Sequence, residues 1–485
     1  MKKTLITLSL LFLAVFNFNL LAANNTPTRP TPEERAKFPL LPDHPPAVRG
    51  ALPDGPKFIS GRPKPKVNPQ TGVQETVLDI ETLLTPPDDT FRLQRRNNFY
   101  KKDGSNGLYR WAISGHWTNY DEDSVKGWRD SVPDLLTTLD GKKVTDAQTW
   151  IKVRRPEVLK IVESYMYGRV PDTVPKVVWT AGEPTTGMSG DIPTISLTAT
   201  GQFVNSDGTP FTAPVNENSR RGRSMFGGVA GGGLTVSYTI PANAPGKVPL
   251  IRGGNLQQSL EMGFGTVNFR GMAPNVRSNP PSVDDWGAIR KSAWVISKCL
   301  DYLETDPRIN ARIAVTGHSI GGKQALITAV FDERVAVCFA SCSGLGGAQM
   351  ARHDWGETID DVAQLSPDNY CENIQYWVSH YDEMPLDSHF LVALAAPRAL
   401  LITGGTGDQW SDPVGVFWAG HYASAVYKLL GEKAFDNTEP PEPDTFIGEK
   451  LVFHNHVGGH MPSAAENAKY LEMQKKYLKV IPFDK

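Results

Sequence analysis

Two hydrophobic rhythms alternate along the chain from about residue 234 onward. Short apolar, β-branched runs read as strands at Leu234–Ile240, Val248–Arg252, Gly265–Phe269, Arg312–Thr316, Val335–Ala340, Ala399–Thr403 and Lys450–His454. Between and after them, longer stretches read as helices at Trp286–Glu304, Ile320–Phe331, His389–Leu394, Val414–Leu430 and Ala464–Leu478. Strands that alternate with helices predict an α/β fold, with a mainly parallel sheet covered on both faces.

The first part of the chain is patterned differently. Lys2 and Lys3, the apolar run Leu5–Leu21 and the small pair Ala22-Ala23 read as a signal peptide over residues 1–23. This predicts an exported protein, periplasmic or secreted. Residues 24–130 read as a proline-rich extension, lying on the body or linked to it, with Phe99-Tyr100 and Tyr109-Arg110-Trp111 as short strands or packing anchors. The catalytic domain is expected over residues 131–485. Inside it, Thr149–Gly168 reads as helical and split at Pro156, which opens the first turn of the main helix, with Trp150, Val158, Leu159, Ile161 and Tyr165 on the buried face. A glycine-rich insertion near residues 203–233 surrounds Arg220-Arg221-Gly222-Arg223.

The chemistry starts at Gly317-His318-Ser319-Ile320-Gly321, placed between a predicted strand and a predicted helix. That context is the nucleophile elbow of an α/β-hydrolase fold: the glycines let strand and helix close around a strained serine, so that Ser319 Oγ projects from the sheet edge. The Ile320 backbone N–H is then an oxyanion donor. An activated serine needs a histidine as proton acceptor and a carboxylate to orient it, and in this fold they follow in the order serine, acid, histidine. Asp408 follows the strand Ala399–Thr403 and His460 follows the next one, both in glycine-rich loops. Asp412 is the alternative acid, and His454 and His456 are the alternative histidines. His318 is read as packing beneath the elbow, and Cys342 as a buried small apolar residue.

Charge adds exclusions. Fifty basic and 52 acidic residues leave a net charge of −2, spread along the chain, which gives no support for nucleic-acid or polybasic membrane binding. No further apolar stretch reaches a membrane span. Four cysteines (299, 338, 342 and 371) are too few for a disulfide framework, although export permits a bridge or two. No Cys/His spacing suggests a zinc site. No metal and no cofactor is expected, and a monomer is the expected state.

From about residue 130 to the end, several segments in order resemble the glucuronoyl esterases, carbohydrate esterase family 15, particularly bacterial members. They include Arg154-Arg155-Pro156-Glu157, Tyr167-Gly168-Arg169, Trp286-Gly287, Trp294, and Gly317-His318-Ser319 with Gly322-Lys323. Ser343-Gly344 with Gly346-Gly347-Ala348, Gly356-Glu357-Thr358, Pro385-Leu386-Asp387 with His389, Ala396-Pro397-Arg398, Asp408 with Trp410, and Gly459-His460 continue the series. The resemblance implies hydrolysis of the ester between (4-O-methyl-)glucuronic acid of glucuronoxylan and a lignin alcohol. It implies Ser319 as nucleophile, His460 as general base and acid, and Lys323, Glu357 and Trp410 as sugar-site residues. Two positions depart from the family pattern. Ile320 stands where an arginine usually follows the serine and helps to hold the oxyanion; Arg270, after the strand Gly265–Phe269, is the candidate replacement. Cys342 stands where many members carry the triad glutamate, which leaves Asp408 as the acid. Ile320 keeps open an acetyl xylan esterase or general carboxylesterase on the same scaffold. A catalytically weak carbohydrate-binding homologue is the reading from another class.

Overall fold

The computed structural model describes residues 127–211 and 233–483, apart from 354–355, 360–361, 364–365 and 378–380. It also describes Lys66–Val67 and Gln74–Glu75, which pair antiparallel. The leader at 1–23, most of the extension at 24–130 (with Phe99-Tyr100 and Tyr109–Trp111) and residues 212–232 of the glycine-rich segment lie outside the described residues.

One 12-stranded sheet organises the body. Its strands are β1 (Lys176–Ala181), β2 (Thr185–Ser189), β3 (Ile192–Val204), β4 (Leu234–Pro241), β5 (Gly246–Arg252) and β6 (Gly265–Gly271). The remainder are β7 (Ile309–His318), β8 (Val335–Ser341), β9 (Ala399–Gly405), β10 (Ile447–Gly448), β11 (Leu451–His456) and β12 (Ile481–Pro482). The order is β10-β11-β9-β8-β7-β5-β6-β4-β3-β1, with β2 beside β3 and β12 beside β5. From β6 through β11 every neighbour in this order is parallel. All seven strands read from the sequence are present. The central strands β8, β9 and β11 are mostly apolar runs, as expected where helices cover both faces; every residue of β9 is buried, whereas β4 and β6 alternate and β6 leaves Asn268 and Arg270 exposed.

The helices are α1 (Arg155–Val162), α2 (Leu256–Glu261), α3 (Ala288–Leu303), α4 (Ile320–Phe331), α5 (Ser388–Ala395), α6 (Pro413–Leu429) and α7 (Ala464–Tyr477). Helix α4 is buried on all sides from Gly321 to Phe331, as its nearly uniform apolar sequence requires. On one sheet face, Ile251, Ala314, Val337, Phe339, Leu401 and Val452 meet Tyr470 and Met473 of α7.

Three expectations need correction. Pro156 does not split its helix. The segment is helical from Ala147 to Tyr167, with a wider π turn at Trp150–Arg154, while Pro156 does sit in the first turn of α1 as expected. A first-turn position needs no N–H, so proline is accepted there. The five residues assigned to its buried face are all buried. The glycine-rich segment starts later than residue 203, because β3 runs to Val204 and Phe203 is buried at its end. Lastly, β11 runs past the expected strand end at His454 to His456, so His456 belongs to the strand.

Candidate active site

Four parallel strands end in register. His318 pairs with Ser341, Ser341 with Thr403, and Thr403 with His454. Ser319 and Cys342 follow directly in positive-φ conformations, at 56° and 43°. Non-glycine residues seldom adopt this region, and such strain marks functional turns. The glycines around Ser319 have a steric reason. A Cβ on Gly317 would lie 1.9 Å from the Gly321 carbonyl oxygen, and one on Gly322 would lie 2.8 Å from that of Ser341. The turn is pinned by Ser319 N–H donating to the Ser341 carbonyl at 2.9 Å. The first N–H groups of α4, Ile320 included, lie at a helix N-terminus, where they have no intrahelical acceptor and the dipole favours negative charge.

The loop after β9 carries Asp408, which is buried, and the loop after β11 carries His460, whose side chain is 35 % exposed. They meet: His460 Nδ1 lies 2.6 Å from Asp408 Oδ2. Ser411 Oγ is 3.4 Å from the same nitrogen. The His460 ring packs 4.5 Å from that of His318, the residue before Ser319. His318 therefore flanks the histidine rather than lying beneath the elbow. Burial and the neighbouring His460 hold the His318 imidazole below its usual range. Three loops thus bring Ser319, Asp408 and His460 to one sheet edge.

The alternatives are engaged elsewhere. Asp412 accepts Gly415 N–H at 2.9 Å, capping α6, and bonds His353 Nδ1 at 2.7 Å, both side chains fully buried. His454 and His456 both point Nδ1 at Glu466 Oε1, at 3.0 and 2.9 Å. Neither is placed to serve Asp408.

All four cysteines are free and buried, so the bridges that export would allow are not formed. Burial, and after it the Asp408 carboxylate, pushes the Cys342 thiol far above the usual range. A thiol kept protonated is a poor nucleophile. Two groups of metal-ligating side-chain types converge among the described residues: Cys342 with Asp408 and His460, and His454 with His456 and Glu466. In each, the donor atoms already bond one another. In the first group Cys342 is also held as a thiol, whereas a metal ligand is a thiolate.

Lys323 and Glu357 are neither a solvated helix lysine and a surface glutamate nor separate. Lys323 is buried within α4, and its Nζ donates to Glu357 Oε2 at 2.5 Å and to the Leu345 carbonyl at 2.6 Å. Glu357 N–H donates to the Trp410 carbonyl at 2.7 Å, and Trp410 is half-buried. The three form one connected wall, joined to the Asp408 loop through Trp410.

Arg270, the candidate oxyanion cation, is exposed on β6, two strands from β7. The guanidinium nearer the elbow is Arg252 of β5, whose Nη1 donates to the Thr316 carbonyl at 3.3 Å. Sequence reading also passed over the Gly253-Gly254-Asn255 loop after β5, with Gly253 at φ 72°. It lies beside the strand that ends at Ser319, at the position from which α/β-hydrolases draw a second oxyanion N–H.

Comparison with known proteins follows the same lines. The family model described as glucuronyl esterase, fungi, matches residues 281–431. The carbohydrate esterase MZ0003 of an unknown prokaryotic organism is 30% identical over 399 residues, 73% of this chain and 90% of that protein. A 4-O-methyl-glucuronoyl methylesterase of Wolfiporia cocos is 27% identical, over 64% of this chain and 74% of its own. Among solved structures, the glucuronoyl esterase of Teredinibacter turnerae superposes with a TM-score of 0.62 at 27% identity, over 76% of this chain and 96% of its own. An esterase described as promiscuous, from a marine bacterial metagenome, gives 0.61 at 26% identity, over 74% and 100%. With an α/β-hydrolase sheet and this likeness over most of its length, the chain belongs to carbohydrate esterase family 15, the family of the glucuronoyl esterases.

Proposed function

We propose that this protein is an exported serine esterase that hydrolyses the ester between glucuronic acid of glucuronoxylan and a lignin alcohol. The observation that carries the serine mechanism is the 2.6 Å contact of His460 Nδ1 with Asp408, on a histidine packed beside the Ser319 elbow. With Nδ1 held there, Nε2 is the nitrogen left for the serine proton. Ser319 Oγ attacks the uronic ester carbonyl and passes its proton to His460. The oxyanion is met by the Ile320 N–H and a backbone N–H of the Gly253–Asn255 loop. Collapse breaks the ester bond, with His460 returning the proton to the departing alkoxide. Water then attacks the acyl-enzyme by the same route and releases the glucuronate. The Lys323–Glu357–Trp410 wall supports the uronate assignment: two of the three Lys323 donors are engaged by Glu357 and the Leu345 carbonyl, and the third suits a sugar hydroxyl. The leader at residues 1–23 supports export, and among the described residues no helix is long and apolar enough to cross a membrane.

The leaving alcohol follows from where the proton is delivered. His460 protonates the departing oxygen, so the alcohol lies against the His460 loop. Val457 and Met461 flank that loop, and at 67% and 66% exposure they are the most exposed large apolar side chains among the described residues. Exposed apolar side chains on this loop suit an aromatic alcohol. Contacts of this size are worth about 1–2 kcal/mol. The double variant Val457→Ser/Met461→Ser is therefore expected to lose about tenfold of its preference for a benzyl over a methyl ester of glucuronate, read from kcat/KM on the two substrates.

A second reading, a broader carboxylesterase, is favoured by Ile320, which supplies no cationic oxyanion donor, and by the promiscuity stated for one structural relative. A missing donor typically costs about 10²–10³ in turnover. Ile320→Arg is expected to raise kcat on benzyl glucuronate by about tenfold or more, with little change in KM. The two readings separate on kcat/KM for benzyl glucuronate against acetylated xylan. Preference for the glucuronate supports the uronoyl esterase, and activity on the acetyl ester alone overturns it.

A further inference from the structure

We infer that His456 is a positioning residue, whose imidazolium, held on Glu466, clamps the Gly459 carbonyl and thereby fixes the loop that presents His460. This rests on His460 being the base of the proposed reaction. His456 Nδ1 lies 2.9 Å from Glu466 Oε1, and its Nε2 lies 3.1 Å from the Gly459 carbonyl oxygen. An ionised carboxylate and a carbonyl can only accept. A neutral imidazole has one N–H, so it would leave a lone pair facing one of these acceptors. The doubly protonated ring satisfies both, and Gly459 is the residue directly before His460.

The surroundings match a clamp. Gly458 N–H donates to Thr406 Oγ1 at 3.2 Å, and Gly407 N–H to the Gly458 carbonyl at 2.7 Å. Gly405 lies so close that a Cβ there would be 2.5 Å from the Gly459 oxygen and 2.9 Å from His456 Nε2. Glu466 is itself fixed: its Oε2 accepts the Ser463 N–H at 2.7 Å in the capping box of α7. The charged and titratable groups facing His456 are Glu466 on α7, His454 on the same strand through the shared Oε1, and Asp408 from the loop after β9. The Glu466 hydrogen bond is the largest influence and raises the His456 imidazolium above its usual range, against burial. Burial raises Glu466, but its hydrogen bonds to His454 and His456 outweigh this and hold the carboxylate below its usual range. A raised histidine contributes its interaction fully below the ordinary value near 6.5 and loses it as pH climbs through the folded value. Activity then needs His460 neutral and His456 charged, which places an alkaline limb on kcat that the triad alone does not supply.

The test reads His456 directly and then through turnover. Nitrogen-15 histidine NMR of the whole protein, with His456→Gln to assign the signal, should show an imidazolium at pH 7 that titrates above 6.5. A neutral ring at pH 7 overturns the clamp. The kcat–pH profile on benzyl glucuronate should show the alkaline limb in the wild type and its movement toward neutrality in Glu466→Gln. In His456→Gln the limb should vanish, with kcat lower by between about 10- and 100-fold and KM within about twofold. A KM-dominated loss, or an unchanged limb in His456→Gln, overturns the proposal. One equivalent of bound transition metal in the purified protein also does, since the two Nδ1 atoms would then be ligands. If the variants do not fold, the wild-type NMR titration decides alone, with the His456 ring signal assigned by through-bond correlation to its own backbone. If the wild type turns over no glucuronate ester, the proposed function fails while that titration still decides the clamp.

Discussion

Ser319→Ala is expected to lower kcat/KM on benzyl glucuronate by at least about 10⁴-fold while shifting Tm by no more than a few degrees. The size follows from how the triad acts. With the hydroxyl gone there is no covalent intermediate, and only the oxyanion donors and substrate binding still assist water. The fold should tolerate the change: the φ of 56° at this position is imposed by the backbone bond to Ser341 and by close packing at Gly317 and Gly322, all of which an alanine leaves in place. A kinetic loss accompanied by unfolding would mean that the side chain has a structural role which the surrounding contacts do not reveal. The comparison therefore pairs steady-state rates with a melting curve.

Asp408→Asn is expected to cost about 10⁴-fold in kcat, because an amide can stabilise the wrong histidine tautomer and cannot balance the imidazolium. The more informative result concerns Cys342. Its Sγ, the Asp408 carboxylate and a His460 ring nitrogen all lie within 4.8 Å of one another. A carboxylate at position 342 is therefore within reach of the same imidazole from the neighbouring strand end. Adding Cys342→Glu to an Asp408→Ala variant should restore at least about tenfold of the lost kcat. Equal activity of the single and double variants would mean that the position cannot present an acid to His460. In the proposed mechanism the buried wild-type thiol leaves that role to Asp408.

Much of this architecture was legible in the sequence because local pattern and tertiary environment agree. The central parallel strands are apolar on both faces, and their β-branched runs are bounded by glycine and polar turns. The elbow was legible because its glycines have a local steric cause. Choosing among three histidines and two acids was harder, since one strand end carries His454, His456 and His460 within seven residues. Only the fold shows that Glu466, ten residues beyond His456, engages the first two. The Lys323–Glu357 pair joins residues 34 apart, and no local rhythm announces it. The antiparallel strands β1–β3 escaped because they are rich in threonine, serine and glycine and stand at a sheet edge, where Val178 is 53% exposed. Pro156 opens the first turn of α1 as its sequence context indicates, but the expected split is absent because a π turn leads into the proline without a break.

The most direct test of the account is to trap the intermediate. The wild type is quenched in acid during turnover of benzyl glucuronate, digested, and its peptides are weighed by mass spectrometry. The account predicts a glucuronoyl group on the peptide that carries Ser319, formed as benzyl alcohol is released and absent from Ser319→Ala. A glucuronoyl group on the Cys342 peptide instead, or wild-type turnover persisting in Ser319→Ala, would contradict it.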